Sequence, residues 1–580
     1  MKLIIKEFLS QLKESGELDR LMPDLLARMK IIPISRPQVG VRQNGVDIAA
    51  VGKDKSGQKR LYLFVLKVGD LGRVGWWGDM NAVSPSVGQI NQTYLRTSVR
   101  PEHKLLPVTI VICSTGELKQ DVVQDFTGMC EIQEKMGITL EYWSGDDLAS
   151  LIEEHLLDEY AIDPSARADL RRALALIGSR DYDLRHAYSV LDSLLLKSFD
   201  ASVKPTSPSR KKFMAQLKTA NLVLEIAFRW AQEGGNLLNA FRLGERCCLW
   251  AWESIRIRGL TNYRPAMKTF KDIYQSHLRI GNAYVDKMQR HFMVRDGASV
   301  FSGENALVTN KIFEQIGILS EVGLQNLEIS NVATLDAGTR AEALARGARA
   351  SELLEGLIFH NQSSFSPRFD ENAIEVCLAM LLFFATGRHG AARSWLEHLS
   401  NRLRISLNNS DCFPIASDSI DDLVALEVRS LSKEQIERLR HLSTLVPTLM
   451  HWCVFFGLDD LYHLLQSQQN AAFKGVFLQL WYADASTESH LYREPAQYES
   501  GTTEVPMHFP ATMGEQREQE QLKVDSGNLA TLEQISAVSH GLPTLMIMAC
   551  RHFRTPVSPQ FWVARAVGAE AAAPSDQAEA

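Results

Sequence analysis

Cysteine is scarce in this chain, with eight in 580 residues. None belongs to a Cys-x-x-Cys pair; Cys247 and Cys248 are adjacent and the other six are scattered. Neither a disulfide framework nor a structural zinc site can be assembled from that spacing, so the thiols read as reduced core residues. Long apolar runs are also missing. The longest, Val376–Ala385 and the stretch from Leu449 to Leu458, fall short of the ~20 residues that a bilayer span needs and read as buried helices. The N-terminal MKLIIKEFLSQLKES reaches Lys6 and Glu7 after three apolar residues, which excludes a signal peptide. The expected location is cytoplasmic, with no membrane partner. Nor is there an excess of basic charge: 62 Lys and Arg against 69 Asp and Glu leave −7. That balance excludes a polyanion binder charged over its whole surface and leaves room for a local basic face.

Several catalytic signatures fail as well. No Gly-x-Ser-x-Gly and no His-Glu-x-x-His occurs. Gly45 to Gly52-Lys53 imitates a phosphate-binding loop, but six residues separate the glycines and no Ser or Thr follows Lys53. His451 and His463 lack partners at ligand spacing and read as helix histidines. The content of 45% hydrophobic and 23% charged residues is that of a folded protein, and the length allows three or four domains of roughly 150 residues.

The first 160 residues differ in texture from the rest. An amphipathic helix is expected over about Ile4–Lys30, interrupted near Gly16 and Pro23, with Leu9, Leu12, Leu18, Leu21 and Leu25 on one side. Two β runs, Gly45–Gly52 and Arg60–Gly69, flank a polar turn ending at Gly57 and read as a hairpin. A helix over Val83–Arg96 follows, then a nearly continuous apolar run, Pro107–Ser114, that suits a strand buried on both faces. A helix over Lys119–Met136, a strand over Ile138–Ser144 and a helix capped by Asp146 and Asp147 complete a small α/β layer. Beyond a boundary near Pro164 the patterns are helical, among them 167–179, 184–199, 211–232, 237–258 and 341–359, without a fixed repeat. The expected organisation is an α/β domain over 1–160 and a helical bundle or array over 165–480. A polar loop or insertion over 481–530, a helical segment over 531–567 and a disordered tail over 568–580 follow. Within this, Lys204–Lys211 reads as a Pro/Ser-rich linker, and Arg210-Lys211-Lys212 as a solvated helix start.

Chemistry concentrates in 38–70. Asp47 begins one strand of the hairpin and Lys67 ends the next, so the fold should bring both to one end of the sheet. A carboxylate beside an ammonium there can hold a divalent metal and steady a phosphate or its attacking water. From Arg36 to Arg73 eight basic residues face three acidic ones, a balance of +5 suited to phosphate contacts. The candidate nucleic-acid contacts are Arg42, Lys53, Lys55, Lys59, Arg60 and Arg73. Trp76 and Trp77 could stack on bases or anchor their loop. A structural alternative for Asp47 is a partly buried ion pair with Arg42 or Lys67.

The order helix, Gly45-Val46-Asp47 strand, strand ending in Val65-Leu66-Lys67, helix, buried strand resembles the restriction-endonuclease-like, PD-(D/E)xK phosphodiesterase superfamily, in particular its Mrr-like branch. The resemblance covers residues 1–155. It implies a restriction-endonuclease-like α/β domain ahead of a large, mostly α-helical region. Asp47 would be a metal ligand for Mg²⁺, Lys67 the residue that orients or activates water, and DNA the partner. The family's acidic or amide position, two residues before the lysine, is Val65 here, which cannot ligate a metal. Candidates for the missing acid or ligand are Gln89 and Gln92 on the following helix, Asp70 and Asp79 in the loop before it, and Glu7 or Glu17 on the first helix. The pairing of such a domain with a helical region resembles bacterial anti-phage defence effectors, in which the helices would sense, self-assemble or bind a protein. The rival reading is a nuclease-like domain without catalysis in a binding scaffold.

Overall fold

The computed structural model describes residues 2–10, 12, 14, 18–35, 44–54, 56–155, 164–197, 207–298, 305–408, 414–428, 430–469, 471, 473–493, 501–525 and 532–563. Arg36, Arg42, Lys55, Glu17, residues 204–206 of the expected Lys204–Lys211 linker and the whole tail expected over 568–580 lie outside them, and the rest of that linker is the start of a helix. The chain divides into two compact units, Met1–Asn236 and Leu237–Ala580.

The first unit holds a mixed five-stranded sheet. The chain runs through α1 (Lys2–Ser10), α2 (Asp19–Arg28), β1 (Ile32–Pro33), β2 (Ile48–Lys53) and β3 (Lys59–Lys67). It continues through α3 (Arg73–Trp77), α4 (Val83–Gln89), a π-helical turn (Ile90–Tyr94) and α5 (Leu95–Thr97). Then come β4 (Val108–Ser114), α6 (Gln120–Lys135), β5 (Ile138–Trp143) and α7 (Gly145–His155). The strands lie in chain order. β1, β2 and β3 are antiparallel neighbours, whereas β3, β4 and β5 run parallel. The parallel pairs follow from the connections, because each crossover carries a helix.

The two-residue alternation of the strands separates two apolar faces. One face carries Ala49, Val51, Leu61, Leu63, Val65, Ile110 and Ile112, packed with Trp76, Val83, Val87, Ile90 and Val122 from the helices. On the other face Ile48, Ala50, Phe64, Leu66, Val111 and Cys113 are buried too, so β4 has the two covered faces that its nearly unbroken apolar run implied. Asp146 and Asp147 do not cap α7 as expected. Ser144 accepts from the Asp147 N–H at 3.2 Å, and the Asp147 carboxylate receives the Ser144 N–H at 2.9 Å in return, a reciprocal box that satisfies two otherwise free donors. Three helices, α8 (Pro164–Leu176), α9 (Arg185–Leu195) and α10 (Ser207–Glu233), complete the unit. Lys218 on α10 pairs with Asp24 on α2. Arg210, Lys211 and Lys212 are exposed on the first turns of α10.

The second unit is helical apart from two short ladders, 442–443 with 477–478 and 480–482 with 502–504. Its main helices are α11 (Leu237–Ile257), α12 (Arg264–Phe292), α13 (Asn305–Ser330), α14 (Ala337–His360) and α15 (Ala373–Ala385). The polar stretch expected as a loop over 481–530 contains the helix Met513–Asp525. That helix is held by side-chain polar contacts: Lys523 on Glu504 at 2.7 Å and Arg517 on the Val454 carbonyl at 3.1 Å. Buried carboxylates do much of the joining elsewhere. Glu328 receives the N–H and hydroxyl of Thr544 at the start of helix Pro543–Phe553. Asp370 receives the N–H groups of Thr444 and Leu445 at the start of helix Leu445–Phe456. Each supplies from far away in the chain an acceptor that helix N-termini usually draw from a local cap. No helix among the described residues is long and apolar enough to cross a membrane.

Candidate functional site

Asp47 sits where the β2–β3 ladder ends. Its N–H donates to the Phe64 carbonyl at 2.9 Å, and its Oδ2 accepts the Leu66 N–H at 2.7 Å. The side chain thus takes over from the backbone as the next acceptor along β3. The turn that delivers it is demanding. Gly45 has φ +83°, and a Cβ there would lie 2.2 Å from the Ser86 carbonyl oxygen at α4, so only glycine fits. Burial pushes the Asp47 carboxyl up from 3.8 to about 6, against the opposing pull of the Leu66 N–H and the Lys67 ammonium; Glu14 and Asp19 add to the rise. Desolvation of the anion therefore outweighs the partners that stabilise it.

Lys67 ends β3, its side chain mostly buried, and its Nζ lies 3.1 Å from Glu14 Oε1. Glu14 comes from the link between α1 and α2. The structure thus brings together Asp47, Lys67 and an acid from the N-terminal helical segment. Glu7 is exposed on α1, and Glu17 lies outside the described residues. No spacing argument singles out Glu14, because it stands between α1 and α2, outside the periodicity of either helix.

The other candidates face elsewhere. Asp70 accepts the Glu117 N–H at 3.0 Å and is exposed. Asp79 accepts the Asn81 N–H at 2.8 Å in the turn before α4. Gln89 donates to the Met80 carbonyl at 3.3 Å, and Gln92 is exposed on the π turn. Val65 lies in the apolar core, 1% exposed. Arg73 is at the Lys67 end of the sheet, exposed and 3.9 Å from Asp121.

The expected basic edge beside the acid–lysine pair needs correction. Lys53 pairs with Lys59 across the hairpin, while Ile48 pairs with Phe64. Lys53, Lys59 and Arg60 therefore lie at the turn end, and six to eight residues of strand separate them from Asp47 and Lys67, roughly 20–26 Å. Arg60 is further committed to Asp54, Thr109 and Thr139. Trp76 is fully buried and meets Phe126 edge-on with centroids 6.2 Å apart. Trp77 is 57% exposed, and its indole N–H donates to Asp125 at 3.3 Å.

Among the described residues no three His, Cys, Asp or Glu side chains are grouped to hold a metal ion. Asp47 and Glu14 offer hard oxygen donors of the kind Mg²⁺ prefers, and that ion is commonly held by one or two carboxylates with water and phosphate completing the shell. In donor chemistry the pair fits. No protein-family model, curated protein or solved structure matches this chain.

Proposed function

We propose that the first unit is a metal-dependent, nuclease-like module that hydrolyses a phosphodiester, with DNA as its substrate. One observation carries the reading: a carboxylate kept at a strand end where burial raises its pKa to about 6, beside a lysine and a second acid that structure alone brings near. A site that costs stability and assembles charged groups from separate segments is a functional candidate on physical grounds. The order of helix, antiparallel hairpin, helix and parallel strand agrees with the restriction-endonuclease-like resemblance. In this reading Asp47 and Glu14 are the residues that would hold Mg²⁺, whose chemistry is to polarise the phosphate and acidify a water. Lys67 positions that water and faces the charge that develops on phosphate.

Val65 favours a second reading, a binding module without catalysis, since the position that carries an acid or amide in the family is here part of the core. Cleavage of supercoiled plasmid with Mg²⁺ or Mn²⁺ tests between them, together with Mn²⁺ binding to the full chain. Nicking by the wild type that falls by roughly 10²-fold or more in Lys67→Ala, Asp47→Asn and Glu14→Gln supports the nuclease. Absence of both nicking and Mn²⁺ binding leaves the binding module.

A further inference from the structure

The opposite end of the sheet carries a feature of its own. Each strand has one exposed lysine there, Lys53 and Lys59 within β2 and β3 and Lys30, Lys104 and Lys135 in the segments that lead into β1, β4 and β5. Lys53 and Lys59 are direct cross-strand partners. Ile32 pairs with Val51, Ile31 closely approaches Gly52, and Lys30, with φ +62°, closes the turn that leads from α2 into β1 at this end. Leu61, Val108 and Ile138 lie in one row across β3, β4 and β5, so Lys104, in the turn before β4, and Lys135, at the end of α6 just before β5, stand at the same rim of the sheet. At about 4.8 Å between strands the five span roughly 19 Å. All are exposed, and among the described residues none has an acid within ion-pairing distance.

Their surroundings are basic. With Arg60 and Arg100 the segments carry seven positive groups against Asp54, Glu102, Glu131 and Glu134, or 7 − 4 = +3, in a chain of −7. Asp54 is already consumed by the turn: its Oδ1 accepts from Ser56 and Gln58, and its Oδ2 faces Arg60. Between the lysines stand exposed apolar side chains, Ile32 at 65%, Leu105 at 98% and Met136 at 59%.

We infer that this rim is a nucleic-acid contact surface separate from the Asp47–Lys67 end, and that it takes the phosphate backbone of a strand of DNA. A rim of about 19 Å spans between five and six nucleotide steps at about 3.4 Å rise per nucleotide of one strand. Unpaired point charges along a rim suit backbone contacts that hold without reading sequence. Leu105 and Met136 lie where sugars and base faces would pack. The contact depends on the lysines alone and holds whether or not the distant pair is catalytic.

The test is binding by the full chain, in EDTA, to labelled DNA of about 20 nucleotides, single-stranded and duplex, read by fluorescence anisotropy between 50 and 200 mM salt. The triple variant Lys53→Gln, Lys59→Gln, Lys104→Gln is compared with the wild type and with a control, Lys268→Gln and Lys271→Gln on α12. Removing three phosphate contacts should flatten the salt slope by roughly 2.7, so the wild type loses about 40-fold more affinity than the variant over that range. The control should follow the wild type. A wild type that binds no DNA, or a triple variant with unchanged affinity and slope, overturns the inference. So does a triple variant that loses binding to anionic phospholipid vesicles while its DNA binding is intact, since the rim then serves a lipid surface. EDTA removes catalysis from the readout, so an inert centre at Asp47 does not alter the result.

Discussion

Replacing Asp47 by asparagine should make the protein more stable at neutral pH and leave it nearly unchanged in acid. The carboxyl stands at about 6 in the fold against 3.8 for the free side chain. At 1.36 kcal/mol per unit the displacement of about 2 units is worth roughly 3 kcal/mol. A raised carboxyl pKa means that the fold favours the protonated form. Its contribution is therefore fully present below 3.8 and lost as pH rises through 6. Asparagine is neutral throughout, and its amide oxygen can still accept the Leu66 N–H. Lys67 keeps Glu14 as its counter-charge. The variant should gain about 2–3 kcal/mol over the wild type at pH 8 and only a few tenths at pH 4, as read from urea denaturation at both pH values. Asp370, also pushed up to about 6 by burial, titrates identically in both proteins and cancels. Equal differences at the two pH values, or a less stable variant at pH 8, would refute the argument and make Asp47 an ordinary structural anion. A millimolar excess of Mg²⁺ should raise the wild-type melting temperature and leave the variant's unmoved, because only a ligand of the native state stabilises.

Arg551→Met should destabilise by about 3–5 kcal/mol at pH 7, because it strands the buried carboxylates of Glu245 and Glu321; urea denaturation should recover part of the loss as the pH is lowered, because burial raises the Glu321 carboxyl and favours its protonated form. Trp76→Ala should cost about 3–5 kcal/mol by emptying a core site, while Trp77→Ala, half exposed, should change stability by less than about 0.5 kcal/mol in the same melts. Gly45→Ala should cost about 2 kcal/mol or more, since both its φ and the Ser86 carbonyl oppose a Cβ, and Mn²⁺ binding by the surviving fold should weaken as Asp47 moves.

The sheet was legible in the chain because each of its signals is local. The polar turn ending at Gly57 between two apolar runs specifies the hairpin, and the nearly unbroken Val108–Cys113 run specifies a strand covered on both sides. That Asp47 and Lys67 share a sheet end followed from antiparallel pairing. The same pairing places Lys53 and Lys59 at the far end, a consequence that counting charge along the chain concealed. Glu14 was out of reach, because it stands between α1 and α2, outside the periodicity of either helix. The division at Asn236 has no mark in composition, since the helices on either side of it are built from the same residue types. The helix at Leu445 has a local acceptor in Ser443, which takes the Val446 N–H at 3.2 Å, but Asp370 and Glu328 add acceptors at Leu445 and Pro543 from 74 and 216 residues away, which no local pattern reveals.

Arg551 adds a consequence for synthesis. Its guanidinium lies between Glu245 on α11 and Glu321 on α13, and it stands 230 residues after the second of them. At about 5–20 residues per second, a ribosome needs roughly 12–46 s to reach Arg551 after placing Glu321. Throughout that interval α11 and α13 can close over their carboxylates only with Glu245 and Glu321 short of the guanidinium, Glu321 meeting the His277 imidazole at 3.3 Å. The core of the second unit is thus completed only when the helix Pro543–Phe553 is made, and truncation ahead of residue 551 leaves a chain without the guanidinium that bridges Glu245 and Glu321.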